Sequence, residues 1–242
     1  MNAQRGGEVP PLQEGAVWRR AAGLLLAILG GCAPPGMHPS AVPSGFEADS
    51  VIQATMESTR PPGPIQMVFR FRLREADLRF QGRGVARVEP PYRVRLDLFS
   101  NQGETLFQAA LVEEGLRVPE WASVELAPPP PLLWAALGVF RPGPGWDYLG
   151  AGGGGNQVVI LRYGDGGGGE LRFHISSGEL SRAELFVDGH LLEEVDLTFR
   201  GSPAELSETV YRNRAKFVEL TFSLESVENV ESFPPDIWNP GR

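Results

Sequence analysis

The stretch MVFRFRLREADLRFQGRGVARVEPPYRVRLDLF, residues 67–99, decides the fold. Its period is two. Phe69, Phe71 and Leu73 alternate with Arg70, Arg72 and Arg74. Leu78, Phe80, Gly82, Gly84, Ala86 and Val88 alternate with Arg79, Gln81, Arg83 and Arg87, with Val85 as the one exception. Tyr92, Val94, Leu96 and Leu98 alternate with Arg93, Arg95 and Asp97. Successive side chains of a strand point to opposite faces, so this pattern marks antiparallel strands with one buried and one wet face. Glu89-Pro90-Pro91 supplies a turn between two of them. Gly82 and Gly84 fall on the apolar face, which points to a bend or to the close approach of another element. The arginines project from the polar faces of three neighbouring strands. An acidic chain favours a solvated face paired with carboxylates over an anion-binding patch.

Outward from this stretch the pattern continues. Ser100-Asn101-Gln102-Gly103 and Glu113-Glu114-Gly115 are turns. After Pro128 to Pro131, Leu132, Leu133, Ala136, Leu137 and Phe140 recur at helical spacing, so a short apolar helix is expected over 132–140, stopped by Arg141-Pro142-Gly143. It reads either as a core helix or as a lid over an apolar cavity. Strands are expected over 146–151, 157–163, 170–176, 181–187 and 190–200, with tight hairpins at Ser177-Gly178 and Asp188-Gly189. The glycine runs at 152–155 and 164–169 lack both the Lys-Ser/Thr of a P-loop and a strand–GxGxxG–helix context, so they read as long mobile hairpin tips. Residues 201–216 read as an irregular polar turn. Val218, Leu220, Phe222, Leu224 and Ser226 form a closing strand, and the tail Phe233 to Trp238 is expected to dock back on the domain. Upstream, Ser44 and Glu47 have capping-box spacing, and a helix is expected from about Gly45 to Ser58.

The N-terminus carries Arg19-Arg20, an apolar run from Ala21 to Leu29, and Leu29-Gly30-Gly31-Cys32. A basic segment, a run of about 9 apolar residues and small residues before a cleavage point make a secretory signal; a bilayer span needs about 20. The last four residues resemble the lipobox of bacterial lipoproteins. That resemblance implies cleavage between Gly31 and Cys32, followed by diacylglyceryl and N-acyl modification of Cys32. Several acyl chains anchor a protein stably. The expected organisation is a signal peptide at 1–31, a lipidated Cys and flexible tether at 32–45, and one domain at 46–242. The rest of a twin-arginine motif is missing, and the acidic, long segment before Arg19 suggests a later translation start.

Removing three arginines and two glutamates from 22 basic and 30 acidic residues leaves a net charge of −9. That opposes nucleic-acid binding and direct attraction to anionic lipid. The chain has 1 Cys, so the anchor leaves no thiol for a disulfide, metal cluster or nucleophile. His38, His174 and His190 have no ligand-like neighbours at metal spacing, and no GxSxG elbow occurs. No cofactor, metal or enzymatic activity is expected.

The elements add up to about ten or eleven antiparallel strands, enough to make a sheet curl or close. The lipobox, N-terminal helix, Arg-rich meander, mid-chain apolar helix, late strand set and the segment Tyr92 to Phe107 (YRVRLDLFSNQGETLF) together resemble the LolA/LolB-like family of lipoprotein localisation factors. The resemblance implies a mainly β fold with a few helices. Its strongly curved, unclosed antiparallel barrel is covered by the N-terminal helix and the apolar lid helix, and the cavity takes acyl chains of lipid or lipoprotein. The implied cavity set is Phe69, Phe71, Leu78, Phe80, Leu96, Leu98, Leu133, Leu137 and Phe140. The implied role is lipid or lipoprotein sorting in the bacterial envelope. The protein would be anchored through Cys32, on the outer membrane facing the periplasm since Ala33 is not Asp, with a periplasmic carrier protein as a further partner. Ser100 to Gly103 is polar where LolB proteins carry an exposed apolar residue. The competing expectation is a structural or scaffolding envelope lipoprotein with a packed core.

Overall fold

The computed structural model describes residues 47–113, 115–122, 127–153, 158–201 and 205–241. The segments expected as signal peptide and tether, with Gly31 and Cys32, lie outside these residues, so the lipidation reading rests on the sequence alone. The described elements begin with α1 (Ala48–Thr59), β1 (Ile65–Glu75), β2 (Leu78–Glu89), β3 (Arg93–Ser100), β4 (Thr105–Val112) and β5 (Gly115–Arg117). After α2 (Pro130–Ala136) come β6 (Asp147–Gly153), β7 (Val158–Gly164), β8 (Gly169–Ser176), β9 (Glu179–Val187), β10 (His190–Arg200), β11 (Glu205–Asn213) and β12 (Val218–Asn229). The strands form one sheet in the order β5-β4-β3-β2-β1-β12-β11-β10-β9-β8-β7-β6. Every pairing is antiparallel. The first and last strands lie side by side at the centre, and the edge strands β5 and β6 do not pair, so the barrel is unclosed.

The two glycines explain how the centre closes up. Phe71 stands opposite Gly82 and Phe69 opposite Gly84. A Cβ at Gly84 would lie 2.1 Å from Phe69 Cε2, and one at Gly82 would lie 1.9 Å from the carbonyl oxygen of Phe99. The aromatic rings therefore cover bare backbone, and Phe69 reaches Phe222 at a ring separation of 4.5 Å. This close approach is the one the glycines signal in the sequence.

One residue separates the expected strands from the observed ones in most places; 201–216 is the exception. There β11 runs from Glu205 to Asn213 between β10 and β12. Its inward positions include Thr209 and Asn213, both buried, so it lacks the apolar alternation that marks the other strands. Asn213 Nδ2 donates to Glu193 Oε1 at 2.9 Å and the Tyr211 hydroxyl donates to Glu193 Oε2 at 2.9 Å. Buried polar groups are stable when hydrogen-bonded in this way. Burial raises the Glu193 carboxyl above its ordinary range. The hairpins at Ser177-Gly178 and Asp188-Gly189 have positive φ at both central residues, as a type I′ turn requires. The glycine loop after β7 is held by Asp165, whose Oδ1 accepts from the amides of Gly167 at 2.7 Å and Gly169 at 2.8 Å.

The apolar helix is shorter than expected. It ends at Ala136 because Gly138 takes φ +81 and its amide donates to Ala135 O at 2.8 Å, while the Val139 amide donates to Trp134 O at 3.0 Å. These two bonds make a Schellman cap. Residues 131–136 are buried on every side, as an all-apolar helix requires. The helix covers the concave face over β9, β10 and β11. Phe140 then packs edge-on against Phe173, at 4.9 Å. The end of α1 is pinned to this exit, because the Phe140 amide donates to Thr59 Oγ1 at 3.0 Å.

The outer face is held by ions. Arg70 and Arg83 both reach Glu225, at 2.9 and 3.1 Å. Arg87 and Arg95 close on the buried Asp97 at 2.6 and 2.8 Å. Arg182 and Arg214 meet the buried Glu194, and Arg212 meets Asp196 at 2.6 Å. The tail docks over β3 to β5: Arg95 Nη1 donates to Ile237 O at 2.6 Å, Arg117 Nη1 donates to Asn239 Oδ1 at 2.8 Å, and Trp238 is buried.

Glu170 bridges Arg162 and Arg172, at 2.8 and 2.6 Å. The hydrogen bond from Arg162 leads in lowering its carboxyl from 4.5 to about 2. A lowered carboxyl stabilises the fold above its unfolded value and loses that contribution as pH falls through the folded one. Thermal melts between these limits should therefore lose stability with falling pH, and Glu170→Gln should flatten that limb while lowering Tm at neutral pH. An unchanged limb would deny Glu170 this role.

Candidate functional site: an apolar cup at one end of the sheet

The concave face is filled unevenly. Over β9–β11 it carries α2. Over β1–β4 and β12 it leaves a cup of about 300 Å³. Phe71 and Leu73 of β1, Leu96 and Leu98 of β3, Phe107 of β4 and Leu220 of β12 make its walls. Leu78, Phe80 and Leu106 stand at the end where the β1–β2 and β3–β4 hairpins turn, and all three are exposed. Pro128, which precedes α2, closes one side, and Val218 and Glu75 complete the lining. Glu75 is the one charged residue in it. These positions share a face because antiparallel register puts Leu73 opposite Phe80 and Leu220, and Leu98 opposite Phe107.

The expected cavity set divides accordingly. Phe71, Leu78, Phe80, Leu96 and Leu98 come together in the cup. Phe69 lies on the same face but is spent on Gly84 and Phe222. The three residues assigned to the helix do not reach the cup. Leu133 and Phe140 are in the packed interior, and Leu137 borders a different cleft at the far end of the sheet. Leu73, Leu106, Phe107 and Leu220 are further lining residues. Leu73 and Leu220 continue the alternation of Phe69-Phe71 and of Val218, so their period already placed them on the correct face.

The far cleft is larger, about 700 Å³, and opens where β11 and β12 part beyond Glu208 and Ser223. One side of it is apolar, with Met67, Leu137, Leu206 and Leu224, but Glu179, Arg200, Glu205 and Glu225 also line it with Ser58 and Thr59. An apolar ligand would have to desolvate these charges, which is costly, whereas the cup asks for little of this. Among the described residues no group of three metal-ligating side chains is found. No helix among them is long and apolar enough to cross a membrane.

No family model matches the chain, and no curated protein sequence does. A LolA superfamily protein from Nitrosomonas europaea is similar in structure, with a TM-score of 0.57 and 11% identity over 80% of this chain and 98% of the other. The chain therefore has a LolA-like fold. Two others overlap at lower scores. A DUF1329 family protein from Desulfovibrio piger gives a TM-score of 0.48 at 7% identity, covering 79% of this chain and 96% of the other. An outer membrane lipoprotein-sorting protein domain from Vibrio parahaemolyticus gives 0.47 at 10% identity, covering 78% and 95%.

Proposed function

We propose that the cup binds the acyl chain of a lipid or lipoprotein, and that the protein serves lipid or lipoprotein sorting at the bacterial envelope. The observation that carries the reading is the cup itself: a wall of Phe and Leu that α2 leaves unfilled, with one end open. At about 30 Å³ per water-sized group, its volume of about 300 Å³ has room for about ten carbons of one acyl chain. That volume is at the lower end of ordinary ligand sites. The LolA-like fold supports the same reading, as does the lipobox, through which Cys32 would tether the domain to the outer membrane. A tethered domain acts as a fixed acceptor rather than a shuttle, receiving its cargo from a soluble carrier.

Leu73 tests the cup. It is only partly buried, so a charge there can keep its water while facing the ligand. Leu73→Glu should weaken binding of a fluorescent fatty acid more than tenfold with little change in Tm. Equal binding by the variant would remove the cup from the reading. The competing role, a scaffold with a packed core, is favoured by the complete burial of α2. It predicts no saturable fatty-acid binding by either protein.

A further inference from the structure

We infer that the tips of the β1–β2 and β11–β12 hairpins form a docking surface for an anionic lipid bilayer. Phe217, just before β12, is 79% exposed, and Leu78 is 56% exposed. The two are held together: the Ala76 amide donates to the Phe217 carbonyl at 3.4 Å, and Glu75 pairs with both Leu78 and Val218. Phe80 and Leu106 extend the patch at the same end of the sheet. A contiguous exposed apolar patch with a polar rim marks an interaction surface. Nothing in folding accounts for Phe217. Its ring is in water and its backbone has φ +54, a region bulky residues avoid and Asn or Gly would take at lower cost.

The charge beside the patch selects the occupant. On the outer face of the same hairpin, Arg72, Arg74 and Arg79 surround a shallow depression with Glu219 as its one carboxylate. Arg74 reaches Glu219 at 3.6 Å, and Arg212 shares that carboxylate at 3.0 Å. Arg214 and Lys216 precede Phe217 in sequence, with Arg214 bound to Glu194 at 2.7 Å. Asp77 at the β1–β2 turn, Glu75 and Glu219 are the acids of these two hairpins, and Glu104 stands at the β3–β4 turn beside Leu106; Glu194 and Asp196, which share a depression with Phe217, are taken up by Arg182, Arg212 and Arg214. Two or more guanidiniums thus remain for phosphates, next to side chains that enter the acyl boundary. Arginine stems bridge such a boundary by lying along apolar surface with the head in water. The opposite half of the same end carries Asp147, Asp165 and Asp188 and is not part of the surface. The chain's overall negative charge does not forbid docking, because charges beyond about 8 Å are screened at physiological salt.

The test uses the full chain with Cys32→Ser and Asp77→Cys, labelled at 77, beside the intact Phe217, with a polarity-sensitive dye. Vesicles of phosphatidylethanolamine and phosphatidylglycerol should shift its emission to the blue, with quenching by brominated acyl chains. Pure phosphatidylcholine should not. The same dye at Glu231→Cys, beyond the far end of β12, should not respond to either. Arg72→Ser with Arg79→Ser should weaken partitioning about thirtyfold, and added salt should weaken it too. Phe217→Asn, which relieves the backbone, should keep or raise Tm and still lose vesicle binding. Neither Phe217 nor Asp77 lines the cup, so Leu73→Glu should leave the shift at 77 intact. Loss of fatty-acid binding and loss of docking are thus separate results. An unmoved dye at 77, or an equal shift on phosphatidylcholine, would overturn the proposal. A shift without vesicles that grows with protein concentration would do so too, in favour of a second copy of the chain.

Discussion

Gly82→Ala is expected to abolish the native state. The added methyl would stand 1.9 Å from the Phe99 carbonyl oxygen and 3.0 Å from Phe71 Cε1. The first neighbour is backbone within a paired strand, so β2 and β3 would have to part at the register Gly82–Ser100. Overpacking that side chains can relieve costs about 1–3 kcal/mol; here the ladder itself must break, and total stability is only about 5–15 kcal/mol. Gly84→Ala is the milder case. Its methyl meets the Phe69 ring at 2.1 Å and Leu98 Cδ2 at 2.9 Å, both side chains. A smaller Phe69→Leu should therefore recover part of the loss caused by Gly84→Ala and none of that caused by Gly82→Ala. Chemical denaturation of the four variants reads this directly, and equal recovery in both pairs would show that the Phe99 carbonyl is not the obstacle.

Asp97→Ala should cost about 3–5 kcal/mol, the range for removing one partner of a buried ion pair. Asp97 accepts from Arg87 Nη1 at 2.6 Å, from Arg95 Nη2 at 2.8 Å and from Gln108 Nε2 at 3.0 Å, and its side chain is 2% exposed. Removing it leaves two guanidiniums under the C-terminal tail with their acceptor gone. Arg95 also holds the tail through Ile237 O. The variant should thus gain protease cleavage between Phe233 and Trp238 at temperatures where the sheet remains folded. Replacing Asp97, Arg87 and Arg95 together by Leu should restore much of the stability, because no unpaired charge remains. A single Asp97→Ala variant with unchanged urea midpoint would show that the cluster contributes nothing.

Alternation made β1, β2, β3 and β12 legible because each has an apolar inner face and a charged outer one. The glycines at 82 and 84 announced a close approach, though not that their partners were the two phenylalanines of the neighbouring strand. β11 was illegible for the same reason that the others were clear. Thr209 and Asn213 face inward and are satisfied by packing and by Glu193, which in sequence reads as a strand edge. The cup was legible as a face but not as a place. Period two put Phe69, Phe71, Leu96 and Leu98 on one side, and only the position of α2 decides where that side is filled. Leu133, Leu137 and Phe140 obey helical spacing equally well as lid or as filling. Phe217 breaks the alternation of β12, and its exposure depends on a turn that periodicity does not describe.

We propose that the cup, and not the rest of the concave face, holds an acyl chain. Photocrosslinking of the full-length protein with a diazirine fatty acid, followed by peptide mapping, distinguishes the two places. Crosslinks should concentrate at Phe71, Leu96, Leu98, Phe107 and Leu220, and Leu73→Glu should remove them. Crosslinks that fall instead around Leu137, Leu206 and Leu224 at the far cleft, or that spread over the surface without saturation, would contradict the account.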